Sequence, residues 1–289
     1  MKFLEASDKT VYEIIPPRRR ESHKGDNGRV LVVGGGYLYH GAPVLSALAT
    51  YRSGVDLVYV AVPEPLVSSV RAHSLSLIVI PLPDIKLTVG CVNKIMGSLE
   101  RRGIVVDSAV VGSGMTKRVK ETGLLVYRLN KAGIKVVLDA GALQSGVLNQ
   151  VGGGGIVLTP HGGEFSRTFG VKLGETLDER AASVKRIAGE FRVTILLKGL
   201  TDIISDGENI AVNEVGNPGM TVGGTGDVLS GLVAGLMARG VEPFKAALAA
   251  AYINGLAGEY ALRRWGLHFT AEDLLVEIPR AMRKFDRIA

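Results

Sequence analysis

Asp227 follows Gly223, Gly224, Thr225 and Gly226 and precedes Val228, Leu229, Leu232, Val233, Leu236 and Met237, with Gly240 beyond. That apolar spacing makes one face of a helix over Asp227 to Arg239, and Gly240 ends it. Glycines just before a helix bare backbone N–H groups at its positive end, where a phosphate or a developing oxyanion is held. A carboxylate in the first turn then stands beside the bound phosphoryl group, placed to take a proton from an attacking hydroxyl. Asp227 is thus the candidate catalytic base, and Gly223, Gly224, Thr225 and Gly226 are the candidate anion hole. A capping Asp beside a tight turn would explain a lone Gly-x-Gly-Asp as well, so other motifs must carry the choice. The stretch lacks the Gly-Lys-Ser/Thr of a Walker loop.

The elements that must position these residues are legible as β-branched and aliphatic runs, each followed by glycine and a helix-like segment. The runs are Arg29 to Val33, Leu57 to Val62, Ala109 to Val111, Val136 to Leu138, Ile156 to Leu158 and Thr194 to Leu197. Helices are expected over Ala42 to Ser53, Thr116 to Ala132, Glu175 to Phe191, Asp227 to Arg239 and Pro243 to Arg263. Strands alternating with helices make parallel βαβ units, and continuously apolar strands imply a sheet covered on both faces. Asp202 to Val212 reads as a hairpin around Asp206-Gly207 that adds antiparallel strands. The Gly152 to Gly155 run reads as a flexible loop, too short to divide the chain. The expectation is one domain over residues 1 to 289: a three-layer α/β/α fold with a mainly parallel central sheet and a few antiparallel edge strands. In such a sheet ligands gather at the carboxyl ends of the strands, where the glycine-rich and polar motifs fall.

With 46% apolar and 21% charged residues, the chain has enough apolar content for a large core and no stretch too polar to pack. The net charge of +6 favours anionic partners, but the cations are dispersed apart from Arg18 to Arg20 and the Arg280 to Arg287 end. There is no zinc-ligand spacing, RNA-binding aromatic pattern or helix-turn-helix signature, so nucleic acid is not an expected partner. A single cysteine, Cys91, cannot form an internal disulfide. Met1 to Thr10 lacks the apolar run of a signal peptide, and Ala246 to Leu262 carries Asn254 and Glu259, which suits a buried helix better than a membrane span. A cytoplasmic location and no membrane partner are expected.

The Gly-Thr-Gly-Asp word before an apolar helix resembles the anion hole and catalytic Asp of ribokinase-like enzymes. Further words narrow the resemblance: His23-Lys24-Gly25, Gly28 to Gly36, His40-Gly-Ala-Pro43, Arg52-Ser-Gly54, Val111-Gly-Ser-Gly-Met115, Leu138-Asp-Ala-Gly-Ala142, Leu158 to Phe165 and Lys198-Gly-Leu-Thr201. In that order, from about Pro16 to Ala281, they resemble the ADP- or ATP-dependent NAD(P)H-hydrate dehydratases of the ribokinase-like superfamily. Ser113 stands where that family often has Pro, and Gly162 where it often has Pro before Gly-Glu.

The resemblance implies that Ala42, Gly114, His161 and Asp227 hold the hydrated nicotinamide substrate. It places Lys198, Gly199, Leu200, Thr201, Asp202 and Gly226 at the adenine nucleotide. These roles suit the residue types, since Ala42 leaves room for a ring near the backbone and His161 can hydrogen-bond an amide or a phosphate. A lone histidine is more often structural, and Thr159-Pro160 is an extended turn entry. Mg²⁺ is the implied cofactor, with Glu164 arranging it through water. ADP or ATP is the implied phosphoryl donor, and NADH hydrate and NADPH hydrate are the implied substrates, in a homo-oligomer expected to be a tetramer. The fuller family form carries a fused epimerase domain, for which these residues leave no room. The implied chemistry phosphorylates the ring hydroxyl and then expels phosphate, restoring NAD(P)H. Two rivals differ by observables. A kinase of the same fold acting on a hydroxymethyl or thiazole-type alcohol would stop at a stable phosphate ester. A catalytically silent nucleotide-binding or RNA-associated protein would need a lost catalytic residue or a strong basic stripe.

Overall fold

Alternate residues of the central strands belong to two separate cores, which is the physical reason for three layers. Val30, Val32, Val58, Val60, Val110 and Val137 pack to one side, while Leu31, Val33, Tyr59, Ala61, Val111 and Leu138 pack to the other. A computed structural model describes residues 2–149, 151 and 153–289. Gly152, the start of the expected Gly152 to Gly155 loop, lies outside them.

In chain order the elements are β1 (Leu4–Glu5), α1 (Asp8–Ile14), β2 (Arg29–Val33), α2 (Ala42–Arg52), β3 (Leu57–Pro63), α3 (Val67–His73), β4 (Ile78–Leu82), α4 (Val89–Arg101), β5 (Ser108–Val111) and α5 (Val119–Lys131). There follow β6 (Lys135–Leu138), β7 (Ile156–Leu158), α6 (Gly162–Phe169), α7 (Leu177–Phe191), β8 (Thr194–Leu197), β9 (Asp202–Ser205), β10 (Ile210–Asn213), α8 (Thr225–Ala238), α9 (Pro243–Trp265) and α10 (Ala271–Met282). The strands form one sheet in the order β1-β10-β9-β8-β7-β6-β5-β2-β3-β4. Pairing is parallel from β8 through β4, whereas β9 runs antiparallel to both β8 and β10. The outermost strand beside this hairpin, β1, returns to parallel pairing with β10.

Every strand and helix expected from the periodicity is present, with ends displaced by no more than three residues. Three of the elements beyond those expectations have local reasons for being hard to read. β1 has two residues, α6 has eight, and β4 contains Pro81, which a strand tolerates at a sheet edge.

The helix carrying Asp227 departs from the expected single apolar face. α8 is buried at every position from Val228 to Met237, because α2, α9 and the sheet enclose it. Small residues permit this closeness: an added Cβ at Gly231 would lie 2.1 Å from the Ser46 carbonyl oxygen, and one at Gly235 would lie 1.9 Å from Ser53 Oγ. The Thr50 hydroxyl donates to the Gly231 carbonyl at 3.0 Å, and Ser46 and Ser230 hydroxyls meet at 3.2 Å. α2 and α8 therefore run side by side in the same direction, both starting at the carboxyl edge of the sheet. Among the described residues no helix is long and apolar enough to cross a membrane.

Candidate active site

The order of the sheet reverses beside β2: the chain moves outward through β3 and β4, then returns to β5 and continues the other way through β6, β7 and β8. A crevice opens at such a switch point. The segments after β2, β5 and β6, together with α6 and the start of α8, line a cavity of about 570 Å³. Of the residues expected at the site, Ala42, Gly114, Glu164, Gly223, Gly224 and Asp227 line it.

Backbone geometry builds the floor. Gly114 has φ +70°, and a Cβ there would fall 2.6 Å from the Tyr39 carbonyl oxygen and 3.1 Å from Ala42 Cβ. The loops after β2 and β5 thus touch at a bare backbone. Gly224 caps α8 with φ +99°, and a Cβ would strike Leu45 at 2.6 Å and Ala271 at 2.9 Å. A Cβ at Gly223 would meet nothing within 4 Å. Thr225 donates its hydroxyl to the Met220 and Val222 carbonyls, which ties the preceding turn to the first helical turn. Asp227, third residue of α8, faces the cavity beside these amides.

The charges near Asp227 are two carboxylates, Asp139 and Glu164, and one ammonium, Lys198. Asp139, directly after β6, is 2% exposed and accepts from the Thr159 hydroxyl at 2.9 Å and from Lys198 Nζ at 3.2 Å. Lys198 Nζ is also 4.0 Å from Glu164 Oε2. Burial draws the Lys198 ammonium down, but Asp139, Glu164 and Asp227 outweigh it and leave the pKa above the usual lysine value. For Asp227, burial first and the negative Asp139 second push the carboxyl up to about 7, with the Ser113 hydroxyl and Lys198 pulling it back. The buried Ser113 Oγ meets no partner at ordinary hydrogen-bond geometry, so it acts on Asp227 as a nearby dipole. Beside this cluster Ala140 adopts φ +46°, uncommon for a residue with a side chain.

The second group of expected residues adjoins the first through α8. A Cβ on Gly226 would sit 3.1 Å from Lys198 Nζ, so the turn after β8 abuts the first turn of α8. Asp202 shapes that turn, accepting from the Gly199 amide at 3.1 Å and from Asn213 Nδ2 at 3.0 Å. Burial pushes its carboxyl up, while those two bonds and Lys198 restrain it. Thr201 is half-buried and Leu200 stands out in solvent, 97% exposed. His161 does not line the cavity. It caps α6, its Nδ1 accepting from the Gly163 and Glu164 amides, while Glu164 Oε2 accepts from the His161 amide at 3.0 Å. Accepting at Nδ1 places the neutral ring's proton on Nε2, 3.5 Å from Glu164 Oε2. His161 is thus a helix cap in the fold.

Several residues here escaped the sequence reading. Asp139 lies within a quoted word and follows a buried strand directly, a signal that could have singled it out. Lys117 and Arg167 bring positive charge to the cavity, and Leu38, Tyr39 and His40 form its wall, but nothing in their spacing marks them.

Residues 30–280 match the family model described as NAD(P)H-hydrate dehydratase. The chain is 50% identical over 279 residues to the ADP-dependent (S)-NAD(P)H-hydrate dehydratase of Cenarchaeum symbiosum, and equally so to that of Nitrosopumilus maritimus, with 96% of each chain covered in both pairs. It is 43% identical to the bifunctional NAD(P)H-hydrate repair enzyme of Pyrobaculum aerophilum, covering 93% of this chain and 53% of that one. The ADP/ATP-dependent NAD(P)H-hydrate dehydratase of Bacillus subtilis, crystallised with ATP and Mg²⁺, superposes with a TM-score of 0.85 at 27% identity, covering 99% of this chain and all of the other. A ribokinase-like superfamily protein from Enterococcus faecalis has a TM-score of 0.81 at 24% identity over 98% and 96% of the two chains, which places the fold among the ribokinase-like ones.

Proposed function

From the premise that the chain belongs to the NAD(P)H-hydrate dehydratase family, we propose that it repairs hydrated nicotinamide cofactor in the Asp227 cavity, at the expense of a nucleotide. The observation that carries this is Asp227 itself, a carboxyl raised to about 7 at the first turn of a glycine-led helix. A base whose pKa sits near neutrality is well matched to taking a proton from a weakly acidic hydroxyl.

In this reading Ala42, Gly114 and Asp227 hold the hydrated ring, with His161 at the margin. Lys117 and Arg167 suit the anionic phosphates of a dinucleotide. Lys198, Gly199, Leu200, Thr201, Asp202 and Gly226 receive the nucleotide. The ring hydroxyl oxygen attacks the terminal phosphorus, its proton passes to Asp227, and the bond from phosphorus to the nucleotide oxygen breaks. The N–H groups of Gly223, Gly224, Thr225 and Gly226, with Lys198, balance charge on the moving phosphoryl group. Phosphate then leaves with the C–O electron pair as the ring nitrogen lone pair forms a C=N⁺ bond; the adjacent ring carbon releases a proton, its C–H electrons form the C=C bond, the nitrogen regains its lone pair, and NAD(P)H is restored.

Among the described residues no three His, Cys, Asp or Glu side chains converge to chelate a metal. Mg²⁺ therefore fits as an ion entering with nucleotide phosphates, reached by Glu164 through water, and it would supply charge neutralisation there. ADP as the donor and the S epimer as the substrate follow the two relatives at 50% identity, both ADP-dependent (S)-NAD(P)H-hydrate dehydratases. One domain, a homotetramer and a cytoplasmic location belong to this reading; the exposed Tyr37, Leu38 and Tyr39 beside the cavity support a further copy covering that surface.

The test is to add protein and Mg²⁺, with ADP or with ATP, to NADH hydrate and follow the reduced-nicotinamide absorbance. We expect a rise with ADP that Asp227→Asn lowers by about 100-fold or more. No rise with either nucleotide would overturn the reading and favour the kinase alternative.

A further inference from the structure

The two arginine-rich segments that the dehydratase chemistry leaves unused come together in space. Backbone pairing brings them into register: the Arg18 amide donates to the Arg287 carbonyl at 2.8 Å, and the Ala289 amide to the Arg18 carbonyl at 2.9 Å. With Arg52 and Arg239 they line a second cavity of about 230 Å³. It lies where α2 and α8 end, at the edge of the sheet opposite the one that carries Asp227, roughly 20 Å away by the length of α8.

Positive charge there exceeds what the surroundings neutralise. Arg239 donates to the Ser53 and Pro16 carbonyls, both at 2.8 Å, and to no carboxylate. Arg18 pairs with Asp56 at 2.6 Å, but Asp56 also accepts from the Gly25 and Asn27 amides and the Asn27 side chain. Arg287 donates to the Ile15 carbonyl and lies over the Tyr12 ring, leaving its buried Nε without a partner. Arg52 is exposed and makes no side-chain hydrogen bond or ion pair among the described residues. Asp286 is the only carboxylate lining the cavity among the described residues. Burial, then Arg18, lowers the Arg239 pKa, as expected where cations crowd.

Tying helix ends and termini together accounts for Arg18, Arg239 and one nitrogen of Arg287. It does not account for Arg52, the Arg287 Nε, or an open cavity between four guanidinium groups. Planar guanidinium forks recognise tetrahedral oxyanions through paired N–H donors. We propose that this pocket is a second binding site, for a small phosphate-bearing anion, independent of the Asp227 cavity. The proposal does not depend on the dehydratase reading.

The test is calorimetric titration of the full chain with pyrophosphate, wild type beside Arg52→Gln, so that the difference between the two isotherms reports this pocket and not the distant Asp227 cavity. Binding at this pocket should weaken as NaCl rises. Arg52→Gln, whose side chain holds nothing in place, should keep the wild-type melting temperature in the absence of the anion and bind about tenfold more weakly. Arg287→Gln should weaken binding similarly. Repeating the titration with orthophosphate and with AMP separates a free phosphate from a nucleotide-borne one: AMP binding more tightly than orthophosphate identifies the latter, and equal or weaker binding the former. Absence of pyrophosphate binding, or Arg52→Gln binding as tightly as wild type, would overturn the proposal.

Discussion

Asp227 has a protonation state that its neighbours decide, and two consequences follow. Folding raises its pKa from 3.8 to about 7, so the folded protein keeps a proton that the unfolded chain has lost. Stability then falls as pH rises from 4 to 7 and stays reduced above, a difference of about 4 kcal/mol at most. Asp227→Asn should accordingly melt at a higher temperature than wild type above pH 7, the gap closing toward pH 4 in a calorimetric series, even as activity is lost. The same shift sets activity against pH. The plot of kcat/KM should rise to a plateau above about pH 7. Asp139→Asn removes an upward push and should move that limb to lower pH, whereas Ser113→Ala removes a restraint and should move it higher. A limb unmoved in both variants would mean that another group titrates.

At the scale of elements, the site is exact because α2 and α8 are locked side by side. Ala42 begins one and Asp227 sits in the first turn of the other, so sliding between them would separate the proposed substrate contact from the proposed base. Gly231→Ala places a methyl 2.1 Å from the Ser46 carbonyl. We expect a loss of about 1–3 kcal/mol in urea unfolding, with kcat falling more than nucleotide affinity. If stability is unchanged, the helices are not held by this contact. The capped start of α6 works the same way on a smaller scale, since the His161–Glu164 capping box aims Glu164 toward Lys198.

For the whole molecule, the exposed Tyr37, Leu38 and Tyr39 predict assembly. Light scattering on the eluting protein should report four 30.6 kDa chains, and Leu38→Ser should shift the population to smaller species; a monomer at micromolar concentration would refute the tetramer. The sequence by itself determined the α/β class, the strand and helix alternation and the Gly-Thr-Gly-Asp word, because hydrophobic period and glycine placement are local properties of a chain. The family resemblance, carried by contiguous words of sequence, also implied Lys198 to Asp202 as a group. Only the tertiary structure decided that Asp139 faces Asp227, that Gly226 abuts Lys198, that His161 caps a helix instead of lining the cavity, and that Arg18, Arg52, Arg239 and Arg287 share a pocket. Each of those meetings joins residues distant in sequence or sets a side chain's direction. They follow from strand order and from close packing across elements, which no short stretch of sequence encodes.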